Sequence, residues 1–166
     1  MKSVKKTALS ALLTALAVTV MYMGSLLGKV DIATAFVSSV CVMICLGEMG
    51  YIRAVGVYAV TTVLSFVIVP SKTSVVLFAV LFGLYPIVKT VSESRFPYIM
   101  AYVVKYVYLN IALSVLFALA SVLSAKIPIY IICAVFAVSN LVLPLYDALL
   151  KAVISFWYNG IRSKFF

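Results

Sequence analysis

The chain has 166 residues, of which 66% are hydrophobic and 10% charged, with a mean hydropathy of +1.26 and a net charge of +9. A water-soluble domain keeps about a quarter of its residues charged, which excludes water as the main solvent. No stretch is polar enough for a second domain, so residues 1–166 should form a single transmembrane domain. The prediction is an all-α polytopic integral membrane protein, a compact bundle of six transmembrane helices with the lipid bilayer as its first partner.

Three lysines, Lys2, Lys5 and Lys6, precede the first apolar run. The opening resembles a signal peptide, but the run over about residues 7–27 is long for one, and Gly24-Ser25-Leu26-Leu27-Gly28 is a poor cleavage site. An uncleaved first span is expected. About 20 apolar residues cross the hydrocarbon layer, and five further runs qualify, over about residues 32–47, 54–69, 74–88, 98–123 and 128–157. Gly28-Lys29-Val30-Asp31 breaks spans one and two, and Gly47 to Arg53 breaks two and three. Pro70 ends span three, since proline cannot continue the helical ladder. Ser92 to Pro97 and Ser124 to Pro128 supply the last two breaks. Such short loops make neighbouring helices antiparallel.

The positive charge is a topology signal. Lys2, Lys5, Lys6, Arg53, Lys89, Arg95, Arg162 and Lys164 fall on one side, against Lys29, Lys72 and Lys126 on the other. The richer side is expected to be cytoplasmic, which puts both termini there in a cell-membrane protein. Trp157, Tyr158, Phe165 and Phe166 fit an aromatic belt at that interface. No basic run with interleaved aromatics suggests a nucleic-acid face, so no nucleic-acid partner is expected.

Catalytic chemistry has little to work with. There is no histidine, no phosphate-binding glycine loop, and only Asp31, Glu48, Glu93 and Asp147 as acids. Cys41 and Cys45 share one helix face in an apolar run and are read as buried thiols, and Cys133 stands apart. No enzyme activity, cofactor or metal is expected.

Charges within spans are costly and mark either function or a paired structural site. Lys105 and Asp147 lie at similar depth, Lys151 is one turn beyond Asp147, and Lys89 joins the same level. A structural ion cluster pinning three helices and a role in gating or partner contact are both open. Pro86 and Pro144 each precede one of these charges by three residues, in helices expected to run the same way. Asn110 and Asn140 are the strongest uncharged polar groups at mid-depth, available for interhelical hydrogen bonds or for a polar solute. With Lys126 and Tyr130 on the outward side, they are the candidate substrate-binding residues. In the first span Ala8, Ala11 and Ala15 line one face, and Ala11-Leu12-Leu13-Thr14-Ala15 is a small-xxx-small pattern that admits a close partner helix. Packing against the protein's own bundle is the alternative.

The basic N-terminus, the Ala11-Leu12-Leu13-Thr14-Ala15 segment and the six-span, cytoplasm-to-cytoplasm layout resemble the S component of an energy-coupling factor (ECF) transporter. Length and topology match over the whole chain, and the motif covers the first span alone. The resemblance implies a membrane subunit that binds a small molecule such as a vitamin on its outward side. It also implies that Ala8, Ala11 and Ala15 dock on a transmembrane coupling subunit served by an ATPase pair. The buried charges lie on the cytoplasmic side, away from that ligand. A non-transporting membrane scaffold or assembly protein of similar fold is the alternative.

Overall fold

The computed structural model describes residues 3–28, 30–122 and 128–157. Six helices in it are long and apolar enough to cross a membrane, and they are numbered in chain order: α1 Ser3–Leu27, α2 Asp31–Met49, α3 Tyr51–Ile68, α4 Lys72–Arg95, α5 Tyr98–Val122 and α6 Ile129–Phe156. The protein is an all-α six-helix bundle and a multi-pass membrane protein. "Basic end" below denotes the end where α1 begins, and "far end" the opposite one.

The breaks follow backbone chemistry. Gly50 alone separates α2 from α3, and its φ of 84° belongs to the left-handed region that glycine enters without Cβ strain. Pro70 ends α3, and Pro97 stands just before α5. Lys72 closes the α3 terminus from the next helix: its Nζ donates to the Phe66 and Val69 carbonyls at 2.7 and 3.0 Å. A cation there complements the negative helix end.

Helices α1, α2 and α3 form the tightest part of the bundle, with α2 the most enclosed. Small side chains permit that approach. Ser38 and Ala35 on α2 and Ala17 on α1 are fully buried, and Ser38 Oγ donates to the Ala17 carbonyl at 3.0 Å. Near the far end, Gly24 lies so close to α2 that a Cβ there would sit 2.0 Å from Thr34 Cγ2. Large apolar side chains such as Ile52, Val67 and Leu141 point outward. In a bilayer these face acyl chains, and burial inside the protein is not required of them. Helix α6 is the least enclosed, and most of its first half is exposed.

The fourth span differs most from the sequence expectation. It was expected over about residues 74–88 and instead runs through Arg95, carrying Glu93 inside a helix rather than in a loop. Hydropathy truncated it because Lys89 and Glu93 read as polar. Tertiary partners satisfy both charges, so the helix continues. Spans two and three likewise extend to Asp31–Met49 and begin at Tyr51.

Candidate functional site

Four charged side chains singled out from the sequence converge near the basic end. Asp147 of α6 is at the centre and is buried, as are Lys89 of α4 and Lys105 of α5. Lys89 Nζ donates to Asp147 Oδ1 and, at 3.2 Å, to the Asp147 carbonyl. Lys105 Nζ reaches both carboxylate oxygens at 3.2 Å. Lys151, one turn along α6 and half-exposed, lies 3.4 Å from Asp147 Oδ2. Glu93 was missed in the sequence reading. Its Oε1 accepts from Lys105 at 2.6 Å and lies 3.6 and 3.4 Å from the ammonium groups of Lys89 and Lys151. The i, i+4 spacing of Lys89 and Glu93 was the available signal. Three ammonium groups thus face two carboxylates and tie α4, α5 and α6 together. Such a cluster resists the cost of burial only while its members stay paired.

Above this layer, α4 departs from regular helix. Residues Phe78–Phe82 form a π-turn in which the Gly83 N–H donates to the Phe78 carbonyl at 2.7 Å. Pro86 follows, and proline removes one further ladder donor. Tyrosines from two neighbouring helices take up backbone carbonyls in the turn. Tyr58 OH of α3 donates to the Ala79 carbonyl at 2.7 Å, and Tyr108 OH of α5 donates to the Val80 and Leu81 carbonyls at 2.7 and 3.1 Å. Gly83 is packed so closely that a Cβ would fall 2.8 Å from the Tyr58 ring. Irregular backbone at membrane depth persists where protein groups satisfy it in this way.

An aromatic layer joins this irregular segment to the charges. The Phe82 ring meets Phe36 and Tyr146 edge-on, with centroids 6.4 and 5.6 Å apart. Tyr146 packs on Tyr85 at 4.7 Å, and Tyr85 OH donates to Asp147 Oδ1 at 3.1 Å. The Tyr146 hydroxyl shares a 3.0 Å hydrogen bond with Ser39 of α2.

On the far side of that layer is a crevice of about 540 Å³ between α4, α5 and α6, with Ile32 of α2 at its edge. Two further spaces beside Phe82 and Tyr146, of about 740 and 210 Å³, share several of its walls. Its lining is almost wholly aliphatic and aromatic, including Leu81, Phe82, Leu116 and Phe117. Thr73, Lys72 and Ser139 supply the polar atoms. Pockets of about 300–1,000 Å³ with few polar groups are the usual form of small-molecule sites.

The structure puts Asn110 and Asn140 elsewhere. Each amide donates to the other's Oδ1, at 3.1 and 3.2 Å, and each also donates to a carbonyl one turn back in its own helix at 2.8 Å. They make the interhelical bond that sequence offered beside solute contact, and neither lines the crevice. Tyr130 is exposed near the start of α6. Lys126 lies outside the described residues.

Ala8, Ala11 and Ala15 are all exposed on α1. The buried face of that helix is a different one, carrying Leu13, Ala17, Val18 and Met21. Ala11 and Ala15 instead line an open groove between α1 and α3, with Ser10, Gly56 and Val60. Cys41 and Cys45 are buried free thiols, and Cys133 is exposed. Among the described residues no group of three His, Cys, Asp or Glu could hold a metal ion. Comparison with known proteins finds no matching family model, no matching curated protein and no matching solved structure.

Proposed function

We propose that this protein is the substrate-binding membrane subunit of an ECF-type importer for a small molecule, docking through α1 on a transmembrane coupling subunit. The observation that carries the reading is the exposure of Ala8, Ala11 and Ala15 on one helix, with Ala11 and Ala15 lining an open groove. Small residues on a lipid-facing helix surface let a second helix approach closely, and packing rather than hydrophobicity drives such association in lipid. A span that faced only acyl chains would gain nothing from this flat strip. The bundle also separates two tasks by position, with the docking strip near the basic end and the apolar crevice toward the far end. On this reading the basic end is cytoplasmic, both termini lie there in the cell membrane, and an ATPase pair supplies the energy through the coupling subunit. The protein itself carries out no reaction.

The test is copurification. Wild type should retain a coupling subunit and two ATPases, whereas Ala11→Trp or Ala15→Trp should lose them and stop uptake. Because both alanines are exposed, neither change should lower the melting temperature. A wild type that retains envelope or division proteins and no ATPases would place the protein with membrane scaffolds instead.

A further inference from the structure

The ion cluster is not electrically neutral. Lys89, Lys105 and Lys151 face Glu93 and Asp147, so three ammonium groups against two carboxylates leave one positive charge over. Both carboxylates are fully engaged. Glu93 Oε1 serves all three lysines, at 3.6, 2.6 and 3.4 Å, and Asp147 takes the same three together with the Tyr85 hydroxyl. The sequence holds two other acids, Asp31 and Glu48. Asp31 accepts from Ser71, Glu48 takes the indole N–H of Trp157 at 3.4 Å, and neither pairs with these lysines among the described residues.

A surplus charge is costly at membrane depth and settles where an outside group can reach it. Lys151 is that place. Lys89 and Lys105 are buried, whereas half of the Lys151 side chain is exposed, and α6 ends soon after it at Phe156. On α5, Tyr98 is exposed and packs on Tyr102 with centroids 5.0 Å apart. The Tyr102 ring in turn lies 4.7 Å from Lys105 Nζ. Exposed tyrosines at helix ends mark the headgroup layer, so the surplus charge surfaces at the depth of lipid phosphates. An ammonium group has three N–H donors. That of Lys151, 3.4 Å from one oxygen of each carboxylate, keeps donors for an acceptor outside the bundle.

We propose that the phosphate of an anionic phospholipid completes the cluster, seated on Lys151 where α4 and α6 meet the headgroup layer. Basic pockets between membrane helices hold such headgroups through charge-assisted hydrogen bonds. The lipid's negative charge balances the group. A zwitterionic lipid offers phosphate without that net charge. Soluble phosphate offers the charge without acyl chains to hold it at this depth. The inference stands apart from the importer reading, because it concerns the ion cluster and not the α1 strip.

The test titrates purified protein in detergent with phosphatidylglycerol, phosphatidylcholine or inorganic phosphate, following lipid retention by native mass spectrometry and stability by thermal melts. Phosphatidylglycerol should be retained and should raise the melting temperature, and the other two should do neither. Lys151→Met leaves two ammonium groups facing two carboxylates. It should weaken phosphatidylglycerol binding about fivefold, which is ~1 kcal/mol, and abolish the melting-temperature gain. In phosphatidylcholine alone its melting temperature should stay near that of the wild type. Lys151→Arg should keep the lipid, as should Lys5→Met, which removes a basic-end charge outside the cluster. A purely structural Lys151 predicts instead that Lys151→Met lowers the melting temperature equally in both lipids, and that result overturns the proposal. Equal retention of phosphatidylcholine, or full replacement of the lipid by inorganic phosphate, also overturns it. If Lys151→Met does not fold, wild type labelled by phosphatidylglycerol with a photoreactive headgroup decides. Labelling should concentrate on the α6 segment around Lys151, and even labelling of every basic-end segment sinks the idea.

Discussion

Asp147 illustrates how a residue's surroundings set its cost. Alone in a membrane helix, a carboxylate is strongly disfavoured. Here it accepts from Lys89, Lys105 and Tyr85 at once. Removing it strands two buried ammonium groups, which for buried pairs costs about 3–5 kcal/mol. Asp147→Asn should therefore lower the melting temperature in detergent sharply. The rescue has an expected order. Lys105 keeps Glu93 at 2.6 Å after the change, whereas Lys89 is left with Glu93 at 3.6 Å. Adding Lys89→Met to Asp147→Asn should recover more stability than adding Lys105→Met. Thermal melts of the two double variants decide it, and equal recovery would show that Lys89 is not the principal partner. That Lys89, Lys105 and Asp147 share one level, with Lys151 one turn beyond, was legible from their positions along apolar runs. The choice of partners was not, because helix rotation and the reach of a lysine stem depend on packing.

Helices show the same division. The six apolar runs and the glycine and proline breaks were readable because hydropathy and backbone chemistry are local properties. The π-turn in α4 was not, since its carbonyls are satisfied by Tyr58 and Tyr108 from helices distant in sequence. Nor was the role of Gly24, which the sequence suggested only as part of a poor cleavage site. In the bundle it allows α1 to touch α2 at Thr34. Gly24→Ala would drive a methyl group into that side chain, and overpacking of this kind costs about 1–3 kcal/mol. The melting temperature should fall, and Thr34→Ala should restore most of it in the double variant. Failure of that rescue would mean that the helices do not meet at this pair.

For the molecule as a whole, the proposed orientation puts the basic end in the cytoplasm, on the distribution of lysine and arginine. A reporter fused after Lys126 should then read as external, and one fused after Phe166 as cytoplasmic. An external C-terminus would reverse both the docking strip and the crevice relative to the membrane. The sequence by itself determined membrane residence, helix number and the level of the inner charges, because a bilayer acts on hydropathy and charge one segment at a time. Only the tertiary structure decided that Glu93 joins the ion cluster, that Asn110 and Asn140 satisfy each other, that Ala11 and Ala15 face outward, and that an apolar crevice opens behind Phe82. Each of these depends on how helices rotate and approach one another, and that is set by small residues and side-chain shapes acting across the bundle.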